Sequence, residues 1–179
     1  MDLRGAGWSG KPDGIYTTEL FADDVAAFMQ AADVERAHVS GLSLGAAAGM
    51  WLAAKYPGQV ASLSLHSAWT ASDPFLRAVV QDWQIIAQAL ASVPEMIIQG
   101  IFPWCFTPEM YAARPEYVDS LAEFVRGRPM PTVDSFIQQS GAVLAHDATS
   151  VLGSIQAPSY ENVEDFNTRT LAFLQAHAV

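Results

Sequence analysis

The pentapeptide Gly41-Leu42-Ser43-Leu44-Gly45 constrains this chain more than any other feature of it. Val39 to Leu42 reads as the end of a buried strand, and Leu44 to Tyr56 (LGAAAGMWLAAKY) reads as a helix. A serine in so tight a strand-to-helix turn must take a strained backbone conformation. Small residues are then required on both sides, and Gly41 and Gly45 are expected to supply that relief. Such a turn lifts the hydroxyl clear of the sheet. It also aims the first helical N–H groups, that of Leu44 first, at any oxyanion forming beside Ser43. The other reading of the pentapeptide is a glycine-rich turn whose serine only caps the helix.

The segments on either side alternate between helix and strand. Thr17 or Thr18 is placed to cap a helix running to about Ala32, with Leu20, Phe21, Val25, Phe28, Met29 and Ala32 on one face. A strand from Ala37 to Leu42 follows, then the helix after Ser43, which Pro57-Gly58 stops. Val60 to His66 is the next strand, and strand, crossover helix and strand make a parallel pair. From Trp69 to Asp147 the apolar spacing becomes helical. Asp73-Pro74 opens an amphipathic helix to about Ser92 with Leu76, Val79, Val80, Trp83, Ile86, Ala87 and Leu90 inward. Pro94, Pro108 and Pro115 begin further helices, and Val133 to Ala145 forms the last. Cys105, set among Phe102, Trp104 and Phe106, reads as a buried structural thiol.

The run Asp2-Leu3-Arg4-Gly5-Ala6-Gly7-Trp8-Ser9 resembles the D-x-R-G-x-G-x-S loop of the α/β-hydrolase family, and it precedes the pentapeptide at about that family's spacing. His146-Asp147 with Leu152, Ile155, Ala157 and Pro158 resembles the family's entry to the strand after the cap. Tyr160 to Asn167, running into Leu171 to Leu174, resembles its C-terminal helix. The likeness is nearest to capped esterases and enol-lactonases. It implies an α/β fold, helix-rich overall: a partial α/β-hydrolase core over residues 1–68 and 148–179, with a small parallel sheet, and a large helical cap over 69–147. It also implies an apolar acyl or alcohol pocket lined by one or two cap aromatics. The family's early strands, with the H-G segment that supplies a second oxyanion donor, have no counterpart here, which implies a chain truncated at its N-terminus. The segment that carries the family's catalytic Asp and His has none either, because the chain passes from Ile155-Gln156-Ala157-Pro158 directly to Ser159-Tyr160.

Composition bounds the partners. The chain has 179 residues, a net charge of −10 and only 9 Lys and Arg, which argues against nucleic acid and anionic membranes as partners. A single cysteine excludes an internal disulfide and any cysteine-based metal site. No dinucleotide, phosphate-loop or metal signature is present, so no cofactor is expected. No signal peptide or membrane-spanning run is visible, which places the chain in the cytoplasm. Hydrophobic residues make up 51%, and a sheet of two or three strands leaves edges uncovered; a homo-oligomer is expected.

A serine hydroxyl needs a base, and the sequence has 4 histidines. His38 begins its strand far from Ser43, His146 adjoins the end of the helical segment, and His177 suits the last turn of a C-terminal helix. His66 stands at the C-terminal end of the neighbouring strand, the edge where α/β sites form, and is the candidate replacement base. The alternative for it is a hydrogen-bonded strand-end histidine. Asp73 or Asp147 could orient its ring. Two functions follow. In the first, the chain is a serine hydrolase of small carboxylic esters or lactones, with Ser43 as nucleophile, the Leu44 N–H as oxyanion donor and His66 as base. In the second it is a catalytically weak or inactive family member serving as a binding or assembly module.

Overall fold

A computed structural model describes residues 1–161 and divides them between two compact units. The C-terminal helix expected over Tyr160 to Leu174 and the placement of His177 fall almost wholly outside the described residues; Ser159–Glu161 itself is a strand.

One unit comprises Tyr16–Ser72 and the segment from Ala145 onward. It contains α1 (Thr18–Ala31), β1 (Ala37–Leu42), α2 (Leu44–Lys55), β2 (Val60–His66) and β3 (Ser159–Glu161). The sheet order is β1-β2-β3, with both pairs parallel and Leu42 opposite His66. β3 begins where a helix was expected because Pro158 is already committed to the sheet: its carbonyl accepts the Leu63 N–H at 2.9 Å, and Ser159 pairs with Leu63. No strand precedes Arg4; those residues are turns and irregular structure.

α1 is capped by Thr17, whose hydroxyl accepts the Leu20 N–H at 3.1 Å. Its buried stripe is Thr18, Phe21, Ala22, Ala26 and Met29, rotated from the expected face, and Phe28 is 51% exposed. The rotation follows from the partner surface. Small Ala22 and Ala26 let α1 approach α2 closely, and both pack with Leu52, Ala53, Val60 and Leu63. α2 is apolar on nearly every side and is buried from Ala46 to Met50, as a helix between another helix and a sheet must be. At Gly49 an added Cβ would lie 3.1 Å from Leu63 Cδ1 and near Val39 and Leu65, so these side chains mark the sheet face that α2 covers. Side chains alternate along strands, which puts His38, Ser40, Ser62, Ser64 and His66 on the opposite face. The Asp23 carboxylate ties α1 to the end of α2 through Lys55 and through the Tyr56 hydroxyl at 2.8 Å.

Beyond β2 the chain is pinned to the segment after Ala145. Ala71 bridges Asp147, Ser72 N–H donates to His146 C=O at 3.0 Å, and Ala148 N–H donates to Thr70 C=O at 2.8 Å. His146 lies at the centre, buried, with Nδ1 3.0 Å from Thr18 Oγ1, Nε2 3.2 Å from Trp69 O, and its ring edge-on to Trp69.

The other unit comprises Met1–Ile15 and Asp73–Leu144. It holds α3 (Pro74–Leu90), α4 (Val93–Met96), a π-helical turn (Ile97–Ile101), α5 (Phe102–Cys105), α6 (Pro108–Ala113), α7 (Pro115–Arg126) and most of α8 (Val133–Ala145). Residues 1–15, assigned by sequence to the core segment 1–68, group with these helices instead. The cause is local: the Arg4 and Gly5 carbonyls accept from Gln139 and Ser135 of α8 at 2.8 and 2.9 Å. Asp2 folds the loop on itself by accepting the Trp8 N–H at 3.0 Å, close against Gly7 at φ 51°. Two small cores form here. Ala87, Val93 and Met96 pack with Trp83 and Phe136; Phe102, Val118 and Ala122 pack with Ile97 and Phe106. Only Val80 and Ala87 of α3 are fully buried. Cys105 is exposed, contrary to the buried thiol expected, because α5 is a single turn that buries Phe102 and leaves Trp104 and Cys105 outward.

Burial pushes the His146 imidazole below its ordinary value, against the pull of the Trp69 carbonyl, Glu19 and Asp147. The native state therefore holds the ring neutral while the unfolded chain protonates near pH ~6.5. Protons then favour the unfolded chain, so this stability is present above that pH and is lost as pH falls toward the folded value. The urea midpoint should drop between about pH 7.5 and about pH 5.5, and His146→Gln should flatten that slope. Equal slopes for the two proteins would assign the pH dependence elsewhere.

Candidate active site

Ser43 sits at the junction of β1 and α2 with φ 52° and ψ −119°, a combination that L-residues rarely adopt, and its side chain is exposed. Such a conformation costs about 1–3 kcal/mol and persists only where neighbours over-determine it. Three contacts do so. The Ser43 N–H donates to His66 C=O at 2.9 Å, and the Ser43 carbonyl accepts from Ala46 and Ala47 at 2.8 and 3.1 Å. The amide is thus locked to β2 and the carbonyl to α2, leaving the turn no freedom. The hydroxyl makes no capping bond to the helix, which removes the bland reading of a capping serine.

The two glycines differ. A Cβ on Gly41 would lie 2.3 Å from Gly45 O and 2.4 Å from Gly45 C, so the turn closes backbone against backbone only because residue 41 lacks a side chain. A Cβ on Gly45 would meet nothing within 4 Å, and that glycine is not required sterically. Leu44 and Gly45 open α2, where helical N–H groups have no acceptor within the helix.

His66 is buried at the end of β2 with Nε2 3.1 Å from Ser40 Oγ, and burial lowers its pKa. Its carbonyl holds Ser43, while its ring turns back along β1 to Ser40, a residue that sequence reasoning passed over. The alternation of β1 and β2 side chains was the available signal, since Ser40 and His66 fall on one face, diagonally across the ladder. His38 Nδ1 lies 2.7 Å from Ser62 Oγ on that same face. The candidate orienting carboxylates are occupied locally: Asp73 accepts the Leu76 N–H at 2.7 Å to cap α3, and Asp147 accepts the Thr149 N–H at 2.9 Å. Among the described residues no cluster of His, Cys, Asp and Glu could hold a metal ion. An open pocket of about 570 Å³ within the helical unit is lined by Pro103, Phe106, Pro108, Tyr111 and Ala112. No described helix is long and apolar enough to cross a membrane.

A family model described as alpha/beta hydrolase fold matches residues 1–109. A protein of Azorhizobium caulinodans named "Putative carbamate hydrolase RutD" is 30% identical over 163 residues, 88% of this chain and 58% of that protein. The "3-oxoadipate enol-lactonase 2" of Acinetobacter baylyi is 29% identical over 129 residues, 68% of this chain and 44% of its own length. Among solved structures, MGS-M2, an alpha/beta hydrolase enzyme from a Medee basin deep-sea metagenome library, superposes with a TM-score of 0.78 at 20% identity. That superposition covers 98% of this chain and 66% of MGS-M2. The chain spans less than two thirds of the length of each.

The turn geometry separates substitutions that look alike in sequence. Gly41→Ala should lower stability by about 2 kcal/mol, because backbone must shift to admit the methyl group. Gly45→Ala should raise stability by up to about 1 kcal/mol through helix propensity. Ser43→Gly should also stabilise, by roughly 1 kcal/mol, as the strain at residue 43 is relieved. Urea denaturation of the three variants reads all three signs, and a harmless Gly41→Ala would refute the close approach.

Proposed function

Because this chain belongs to the α/β-hydrolase family, we propose that it hydrolyses small carboxylic esters or lactones with Ser43 as the nucleophile. The observation that carries the reading is the backbone of Ser43: a non-glycine residue held at φ 52° and ψ −119°, exposed and uncapped, at the mouth of α2. Strain of this kind is retained where it presents a side chain for chemistry. The relatives named carbamate hydrolase and enol-lactonase support a reaction at a carbonyl carbon.

In this reading the Ser43 Oγ attacks the substrate carbonyl, and the developing oxyanion meets the Leu44 N–H, with the positive end of α2 behind it. The amide of Ser43 itself cannot serve, since it is spent on His66 C=O. His66 is the base in this reading and takes the proton once its Nε2, now 3.1 Å from Ser40 Oγ, turns to Ser43. Within residues 69–147, the segment expected as the cap, a pocket lined by Phe106 and Tyr111 is apolar in character. The outer edge of β1, with Leu42 67% exposed, supports self-association.

Hydrolysis of p-nitrophenyl acetate tests the reading. Wild type should exceed the background rate, and Ser43→Ala should fall to it. His66→Ala should lose about 100-fold or more, the usual contribution of a positioned base. Wild-type turnover equal to background would leave the chain a hydrolase by fold alone, acting as a binding or assembly module.

A further inference from the structure

We propose that Ser40, paired with His66, is a second nucleophile of this chain, accepting the acyl or phosphonyl group of an activated ester independently of Ser43. Hydroxyl–imidazole hydrogen bonds recur in the sheet unit, and accessibility separates them. Thr18 and His146 are both buried. Ser62, the partner of His38, is 0% exposed, so no reagent reaches its oxygen. Ser40 is exposed while its partner His66 is only 5% exposed. A hydroxyl open to solvent with its base held behind it is the arrangement a serine nucleophile needs, and the 3.1 Å separation lies within reach of proton transfer. Burial keeps the imidazole in its neutral, proton-accepting form at pH ~7.

The strand also supplies donors. The Ser43 amide points to β2, and backbone groups of successive residues alternate between the two edges of a strand. The amides of Leu42 and Ser40 therefore face the other edge of β1, where the described residues place no strand. Negative charge growing on a carbonyl or phosphoryl oxygen beside Ser40 meets backbone N–H groups there. With a fluorophosphonate, the Ser40 Oγ–P bond forms as the P–F bond breaks. Fluoride leaves with the bonding pair, and the hydroxyl proton passes to His66 Nε2. With a carboxylic ester, the alcohol leaves with that proton and the acyl group stays on Ser40 Oγ.

The test is site-resolved labelling of the full chain with a fluorophosphonate. Arg36 and Lys55 flank the segment, so trypsin releases residues 37–55 as one peptide carrying both serines, and fragment ions across Gly41-Leu42 assign the adduct. Ser43→Ala should retain a Ser40 adduct formed at an undiminished rate. His66→Ala should slow that adduct about 100-fold, with circular dichroism confirming that the variant is folded. Absence of a Ser40 adduct in Ser43→Ala overturns the proposal whatever occurs at Ser43. A Ser40 adduct whose rate ignores His66→Ala overturns it as well.

Discussion

A single ladder bond, Ser43 N–H to His66 C=O at 2.9 Å, fixes the end of β1 to the end of β2 one residue beyond the last strand position. Without it the chain could leave the sheet before Ser43 and enter α2 through a relaxed turn. With it, the reversal from strand to helix is compressed onto one residue, and Gly41 must be bare so that Gly45 can pass against it. The strain at Ser43, the entry angle of α2 and the direction of the hydroxyl all follow from that constraint. The few kcal/mol stored there are offset by the burial of α2, whose alanines and Leu52 fill the space between α1 and the sheet.

The same sheet has two chemically different faces. Val39, Leu63 and Leu65 meet Gly49, which draws helix and strand close and excludes polar groups from that side. The opposite face carries His38, Ser40, Ser62, Ser64 and His66, cross-paired through His38–Ser62 and Ser40–His66. Buried polar groups need partners, and here buried Ser62 and His66 find theirs in His38 and Ser40 of the adjacent strand. Packing therefore decides one face and hydrogen bonding the other.

Much of this was legible in the sequence, wherever a local rule was sufficient. The strand–serine–helix order, the Thr17 and Asp73 caps, and the prolines at helix starts each depend on a few adjacent residues. What the sequence hid depends on distant ones. The stripe of α1 was set by α2, which favoured Ala22 and Ala26 over Leu20 and Phe28. Cys105 faces outward because a one-turn helix has room to bury only Phe102. Residues 1–15 join the helical unit through carbonyls of Arg4 and Gly5 that no side-chain pattern reveals. At the turn, the strain at Ser43 was readable from its pentapeptide, whereas the need for glycine at position 45 was over-read and the Ser40–His66 contact went unseen. Its partner is His66, 26 residues away, and the pairing follows from the register of a parallel ladder rather than from any motif.

The electrostatics of His66 set the terms on which either serine could be activated. Desolvation lowers the pKa of the ring and so favours its neutral, proton-accepting form. The same shift makes it a weaker base, and general-base catalysis falls with basicity. Asp73 and Asp147 each accept a backbone amide. A carboxylate that orients a histidine also stabilises the imidazolium that forms in the transition state. The rate is then governed by how well the protonated ring is tolerated after transfer, not by how often it is free to act. On the proposed reading, Ser40 and Ser43 share that limit.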